Sequence, residues 1–249
     1  MLFFPNFKEE GPGIPPDAPR KKGFARFAEL LGRDGLDLFR AGFLALLGCL
    51  PFLGGVIYAC AAHSMALAPL LGLAGGILAG PELCGLADTC LRAMRDEPGF
   101  WWHLYRRAWR RNAIASLLPG AAGGLLLGTD IFLFFHAQAL GMSGAVSSVL
   151  LAGTLLLLGL AVYVWPQIAL TDLRFLQVLR SSALLFAAQL PRSLGALAVL
   201  GGYIFIMVWF FPIADLLLPL TNLWLPAVWA LLIVYPGLEE HFPVEGEQS

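Results

Sequence analysis

The length of its apolar runs limits this chain more than any other feature. Six can be marked, at 41–62, 65–87, 113–135, 145–170, 194–214 and 216–235. Each is close to the roughly 20 residues with which a helix crosses about 30 Å of hydrocarbon. A soluble core interleaves polar residues at helical or strand spacing and has no use for runs of this length. In lipid no water reaches the backbone, so each run must be helical to satisfy its own N–H and C=O groups. The expected fold is therefore all-α, a polytopic transmembrane helix bundle of six spans. Composition agrees, since only 13% of the residues are charged, where soluble domains run near about 25%. The last two runs are almost continuous, and one helix through both would be about 60 Å long, twice the bilayer core. They are expected to fold back on each other around Pro212, Asp215 and Pro219.

The cations set the orientation. Lys8, Arg20, Lys21, Lys22, Arg26, Arg33 and Arg40 precede the first run. Arg92, Arg95, Arg106, Arg107, Arg110 and Arg111 lie between the second and third, and Arg174, Arg180 and Arg192 between the fourth and fifth. These are all 16 Lys and Arg of the chain, and none is left for the alternate connections. Positive residues stay on the cytoplasmic side, so both termini are expected there. The chain divides into an N-terminal arm (1–35), a six-span domain (36–236) and an acidic tail (237–249). Met1 to Pro5 is followed at once by Lys8, Glu9 and Glu10, without the basic start and short apolar run of a signal peptide, so the N-terminus is expected to be retained.

Two segments on that side are amphipathic. At 100° per residue, Trp101, Trp102, Tyr105 and Trp109 share one arc of the segment 100–112, and Arg106, Arg107, Arg110 and Arg111 cover much of the opposite side. This pattern suits a helix in the headgroup plane that contacts anionic lipid, with a docking surface for a partner protein as the other reading. Nucleic acid is not expected, because the bilayer would need the aromatic face. Phe24, Phe27, Leu30 and Leu31 form a similar face, after a Pro-rich linker at 11–19 that cannot be helical throughout.

Ionisable groups at membrane depth are costly, about 3 kcal/mol or more, and call for a reason. Glu82 follows Pro81 in the inner half of the second run, Asp130 lies toward the outer end of the third, and Asp215 lies in the final hairpin. Glu82 reads either as a proton, cation or solute site beside a proline kink, or as a structural hydrogen-bonding group reaching Thr89 or an interfacial arginine. Asp130 and Asp215 are near enough to the outer surface to be solvated, and His63 and His136 fall at outer helix ends. Gly72, Gly76 and Gly80 repeat at four-residue spacing, as do Gly120, Gly124 and Gly128, which suits close helix packing. Cys49, Cys60, Cys84 and Cys90 have no metal-ligand spacing and read as small core residues. No metal or cofactor is expected, and no H-E-x-x-H, G-x-S-x-G or carboxylate pair suggests an enzyme.

Pro81, Glu82 and Arg95 are echoed 85 positions later by Pro166, Gln167 and Arg180, a faint sign of an internal repeat. Gly11, Pro12, Gly13 and Ile14, then Asp17, Ala18 and Pro19 with Lys21 and Lys22, form one set of features. Pro81 through Leu91 and Arg92 to Arg95, Asp96, Glu97, Pro98 and Gly99, with Arg110, Arg111 and Asn112 opening the third run, form another. Together they resemble the YesL-like family of bacterial membrane proteins over essentially the whole chain. The resemblance implies a non-enzymatic protein of the bacterial cytoplasmic membrane that is accessory to carbohydrate ABC import, with ABC transporter subunits as partners. It supplies no binding or catalytic residues. The alternative is an autonomous transporter or channel for a small solute or ion, using Glu82 and other polar groups in the bundle. The connection 171–193 lacks the Glu-Ala-Ala-x-x-x-Gly coupling pattern of an ABC permease subunit; the nearest string begins at Phe186 and ends at Pro191.

Overall fold

The computed structural model describes residues 21–97, 99–213 and 216–241, and every regular element among them is a helix. In chain order these are α1 (Gly23–Ala61), α2 (Leu67–Arg95), α3 (Trp101–His136), α4 (Gly144–Leu170), α5 (Phe175–Ala188), α6 (Leu190–Trp209), α7 (Leu218–Thr221) and α8 (Trp224–His241). Five of them, α1, α2, α3, α4 and α6, are long and apolar enough to cross a membrane. Pro51, Pro81, Pro119 and Pro166 all lie inside helices. Each removes one backbone donor, a loss that packed neighbouring helices absorb in membrane bundles.

Successive long helices run antiparallel. Gly48 of α1 lies against Glu82 of α2, and Gly55 against Leu71. The two glycine stripes pack closely, as their spacing predicts, and they do so against each other: Gly72, Gly76 and Gly80 face Gly124, Gly120 and Ser116, and each step of four up one helix answers a step of four down the other. A Cβ at Gly80 would lie 2.5 Å from the Ser116 carbonyl oxygen, and one at Gly128 2.9 Å from that of Ala68. Only hydrogen at these positions lets the two backbones touch. On the far side of α3, the Asp130 carboxylate meets Thr154 of α4, and Arg111 meets Ala169. Tyr163 of α4 bonds Ser193 of α6 at 2.8 Å. Tyr203 of α6 donates to the Asn222 carbonyl, and Gln189 abuts Gly237, so α8 returns alongside α6.

α8 buries Trp224, Val228, Leu231, Val234 and Leu238, a stripe at helical spacing, against α1, α2 and α4 in the main apolar core. Elsewhere apolar side chains point outward: Val149 of α4 is 70% exposed and Trp209 of α6 71%. A water-soluble fold does not present such a continuous apolar exterior, whereas lipid solvates it. The molecule is a helical bundle of the multi-pass membrane type.

Several boundaries differ from the sequence reading. α1 begins at Gly23 and runs without a break past position 35, so the segment 24–31 is the first part of the same helix as the first run. α3 likewise carries 101–112 and 113–135 in one helix. No proline intervenes between Lys22 and Pro51 or between Gly99 and Pro119, and continuing a helix keeps every backbone bond made. The sixth run, 216–235, is interrupted: α7 ends at Thr221, Asn222 takes a φ of +25°, and α8 restarts at Trp224 and continues to His241. Asn222 holds this joint. Its side-chain oxygen accepts from the Trp224 N–H at 3.0 Å, and its Nδ2 donates to the Phe39 carbonyl at 3.3 Å. Residues 1–20, with the Pro-rich linker, and 242–249 of the acidic tail lie outside the described residues.

Candidate functional site

The antiparallel register of α2 and α3 brings the Glu82 carboxylate to the aromatic arc of α3. Trp109 Nε1 donates to Glu82 Oε1 at 2.9 Å, and the Tyr105 hydroxyl donates to Oε2. Both donors are neutral. Tyr105 is buried, its ring filling the space over Gly85, and Trp109 is half-buried. Gly48 of α1 closes the third side, where a Cβ would lie 2.5 Å from Glu82 Cγ. The aromatic arc read on the sequence as a bilayer face therefore turns inward at Tyr105 and Trp109. A wheel shows which residues share a face but not what the face meets. Trp102 stays exposed with its ring stacked on that of Tyr105, and Trp101 packs at a tilt against both.

Beyond Glu82, the ends of α1 and α2 are locked by ions. Asp96, at a left-handed φ of +61° after the last turn of α2, accepts from Arg26 at 2.9 Å and from Arg33. The same two arginines reach the terminal carbonyls of α2, Arg26 to Met94 at 2.9 Å and Arg33 to Ala93 at 2.7 Å. They thus cap orphan C=O groups at the negative end of the helix. Arg92 is held by Asp88 at 2.6 Å and by Glu97 at 3.2 Å, and Arg95 by Glu97 at 3.1 Å. Burial raises the Asp96 carboxyl pKa, but hydrogen bonds and charge from Arg33 and Arg26 outweigh it and hold the pKa below the usual range. Arg40 lies over the Trp101 ring, 5.6 Å from its centroid.

The arginines of α3 are different. Arg106, Arg107 and Arg110 are exposed, and none makes an ion pair or side-chain hydrogen bond among the described residues. Arg111 is also exposed but donates to the Ala169 carbonyl at 2.6 Å, so it caps α4. The register described above gathers all described cations at one end of the bundle.

At the opposite end Thr154 donates to Asp130, beside Gly153. His63 and His136 meet there, Nδ1 to Nε2 at 3.0 Å, while His136 Nδ1 lies 2.9 Å from the Phe132 carbonyl. A carbonyl only accepts, so His136 Nδ1 carries a proton, and in the neutral ring Nε2 is the acceptor toward His63. Asp215 lies outside the described residues. Glu82 and Asp130 sit on different helices toward opposite ends and do not form one site.

One polar residue entered the sequence analysis only as part of the repeat echo. Gln167, fully buried after Pro166, donates to Ser182 at 2.9 Å and accepts from Ser181, tying α4 to α5. Its place after a proline, like that of Glu82, was the available signal. α5 itself, with Val178, Ser182 and Leu185 buried at helical spacing, lies in what read as a connection. No family model, no curated protein and no solved structure matches this chain.

Proposed function

We propose that this chain is a non-enzymatic, six-span protein of the bacterial cytoplasmic membrane, with both termini cytoplasmic, that acts as an accessory subunit beside a carbohydrate ABC importer. The observation that carries this reading is the contrast among the arginines. Those of α1 and α2 are consumed by internal ion pairs and caps, whereas Arg106, Arg107 and Arg110 stand exposed on one helix face without an ion-pair partner among the described residues. Three unneutralised guanidiniums in a row are suited to an acidic partner surface or to the anionic headgroups around it. The gathering of the described cations at one end supports the orientation. The importer as partner rests on the resemblance to YesL-like proteins and on the residues that carry it, since no family model matches. Cross-linking in membranes followed by gentle solubilisation tests it. Permease or ATPase subunits are expected with the native chain and are expected to be lost with Arg106→Gln/Arg107→Gln/Arg110→Gln. Recovery of no transporter subunit with the native chain would sink the reading.

A second reading, an autonomous transporter, is favoured by one observation: Glu82 is a carboxylate beside a helix proline whose hydrogen-bond donors are both neutral. Among the described residues no cation pairs with it, and an ionisable group at membrane depth is a candidate site for a permeating ion or solute. Flux in proteoliposomes that disappears with Glu82→Gln supports this reading, and absence of flux removes it.

A further inference from the structure

An open groove of about 400 Å³ lies between α3 and the joint of α4 and α5. Its cations are Arg111 of α3 and Arg174, which immediately precedes α5; its walls include Ile114, Leu118, Phe175 and Val178. Arg111, Ile114 and Leu118 follow one another at helical spacing, so a single face of α3 runs from a guanidinium down an apolar strip toward the middle of the span. That strip is not filled by protein: Ile114 is 84% exposed and Leu118 55%.

The groove is built rather than incidental. Arg111 is held at its mouth by the bond from Nη2 to the Ala169 carbonyl, which leaves Nη1 without a hydrogen-bond partner among the described residues. The Arg174 backbone N–H is taken by Gln177 Oε1 at 3.0 Å, which sets the start of α5, while its side chain is exposed and makes no ion pair there. The first turn of α5 adds the positive end of a helix dipole. Among the described residues no carboxylate lines the groove, and Asp172, the acid of the adjoining loop, is exposed and not part of its wall.

We propose that this groove binds one anionic phospholipid, with the headgroup phosphate between Arg111 and Arg174 and an acyl chain along Ile114 and Leu118. Two guanidiniums without an acid select net negative charge, and offer nothing to the cation of a zwitterionic headgroup. The apolar strip adds nothing for a free phosphate ion but matches a lipid chain. The site rests on the membrane reading above and not on the accessory role.

Native mass spectrometry of the full chain in mild detergent tests it, with dioleoylphosphatidylglycerol, dioleoylphosphatidylcholine and inorganic phosphate as probes. Phosphatidylglycerol is expected to be retained about fivefold or more over phosphatidylcholine, and inorganic phosphate is expected not to displace it. Arg174→Gln leaves the Arg111 cap intact and is expected to cut retention about threefold or more, and Leu118→Trp to do the same by filling the wall with both charges kept. Equal retention of the two lipids, retention unchanged in Arg174→Gln, or displacement by inorganic phosphate would overturn the proposal. Arg174 is exposed in a loop, so its variant decides the matter even if Leu118→Trp fails to fold. Loss of subunit capture in Arg106→Gln/Arg107→Gln/Arg110→Gln with lipid retention intact separates the two readings, because those three residues do not line the groove.

Discussion

Trp109 donates its indole N–H to the carboxylate of Glu82, 27 residues earlier in the chain and on the neighbouring helix, at 2.9 Å. With the Tyr105 hydroxyl on the other oxygen, one acidic group joins α2 to two successive inward turns of α3. Removing a donor leaves part of a carboxylate unsatisfied in apolar surroundings, which costs about 1–3 kcal/mol. Trp109→Phe and Tyr105→Phe are therefore each expected to lower thermal stability in detergent. Glu82→Leu, which strands both donors at once, is expected to cost more than either. Glu82→Gln keeps one acceptor and is expected to fall between native and Glu82→Leu. If Glu82→Leu proved as stable as the native chain in a thermal melt, the hydrogen-bonded joint would not hold α2 and α3 together.

The glycine stripes make a sharper comparison, because neighbouring glycines on the same helix differ in surroundings. A Cβ on Gly76 or Gly120 would be driven into a carbonyl of the facing helix, whereas Gly123 and Gly201 have open space around that position. Gly76→Ala and Gly120→Ala are expected to destabilise by about 1–3 kcal/mol through forced separation of the backbones. Gly123→Ala is expected to be neutral or to stabilise by roughly 0.5–1 kcal/mol, since alanine is the better helix former. Equal melting temperatures for Gly76→Ala and Gly123→Ala would contradict the close packing of α2 on α3.

Asp96 supplies a pH dependence. Its pKa in the folded chain is held below the unfolded value by Arg33 and Arg26. A depressed carboxyl contributes stability that is present above the unfolded pKa, about 3.9, and that is lost as pH falls through the folded value. The native chain is thus expected to lose stability below about pH 4 more steeply than Asp96→Asn. At neutral pH Asp96→Asn is expected to be less stable by about 1 kcal/mol, a modest figure because the carboxylate is one-third exposed and partly screened by solvent. Denaturation in detergent at pH 3.5 and at pH 7 reads both; parallel pH curves for the two chains would remove Asp96 from the account.

These residues also show which parts of the architecture could be read before the structure. Long apolar runs and the segregation of arginine are local quantities, so the five long helices and their alternation were legible. So was the close packing of each glycine stripe, because a four-residue repeat has one face whatever its partner, but not that the two stripes would meet each other. The partners of Glu82 were not, since they depend on how far α3 slides along α2, and only the glycine contacts set that. The same ignorance of register let Tyr105 and Trp109 pass for bilayer contacts. The break at Asn222 was hidden for another reason: one amide in an apolar run looks incidental until Phe39 and Trp224 are seen to take its two ends. The groove at Arg111 and Arg174 joins segments 63 positions apart, and no pattern in either segment announces the other.

The crossing number turns on what happens between Trp209 and Trp224. If α6 leaves the bilayer at Trp209 and α8 re-enters from the same side, Leu216 faces the outside and Glu240 the cytoplasm, as the six-span reading requires. α8 offers only about 12 apolar residues before Pro236, short for a crossing by length alone. Its pairing with α6 from Asn222 to Gly237 and its burial against α1 nonetheless carry it back to the arginine-bearing end. Single cysteines read this directly, once the four native free cysteines are replaced by alanine or serine. A membrane-impermeant maleimide applied to intact cells is expected to label cysteine at Ser64, Met142 and Leu216, and to spare Lys22, Arg174 and Glu240 until the membrane is opened. Labelling of Glu240→Cys in intact cells would leave five crossings and an external C-terminal helix. Labelling of Lys22→Cys together with Met142→Cys would dismantle the alternation from which the orientation is argued.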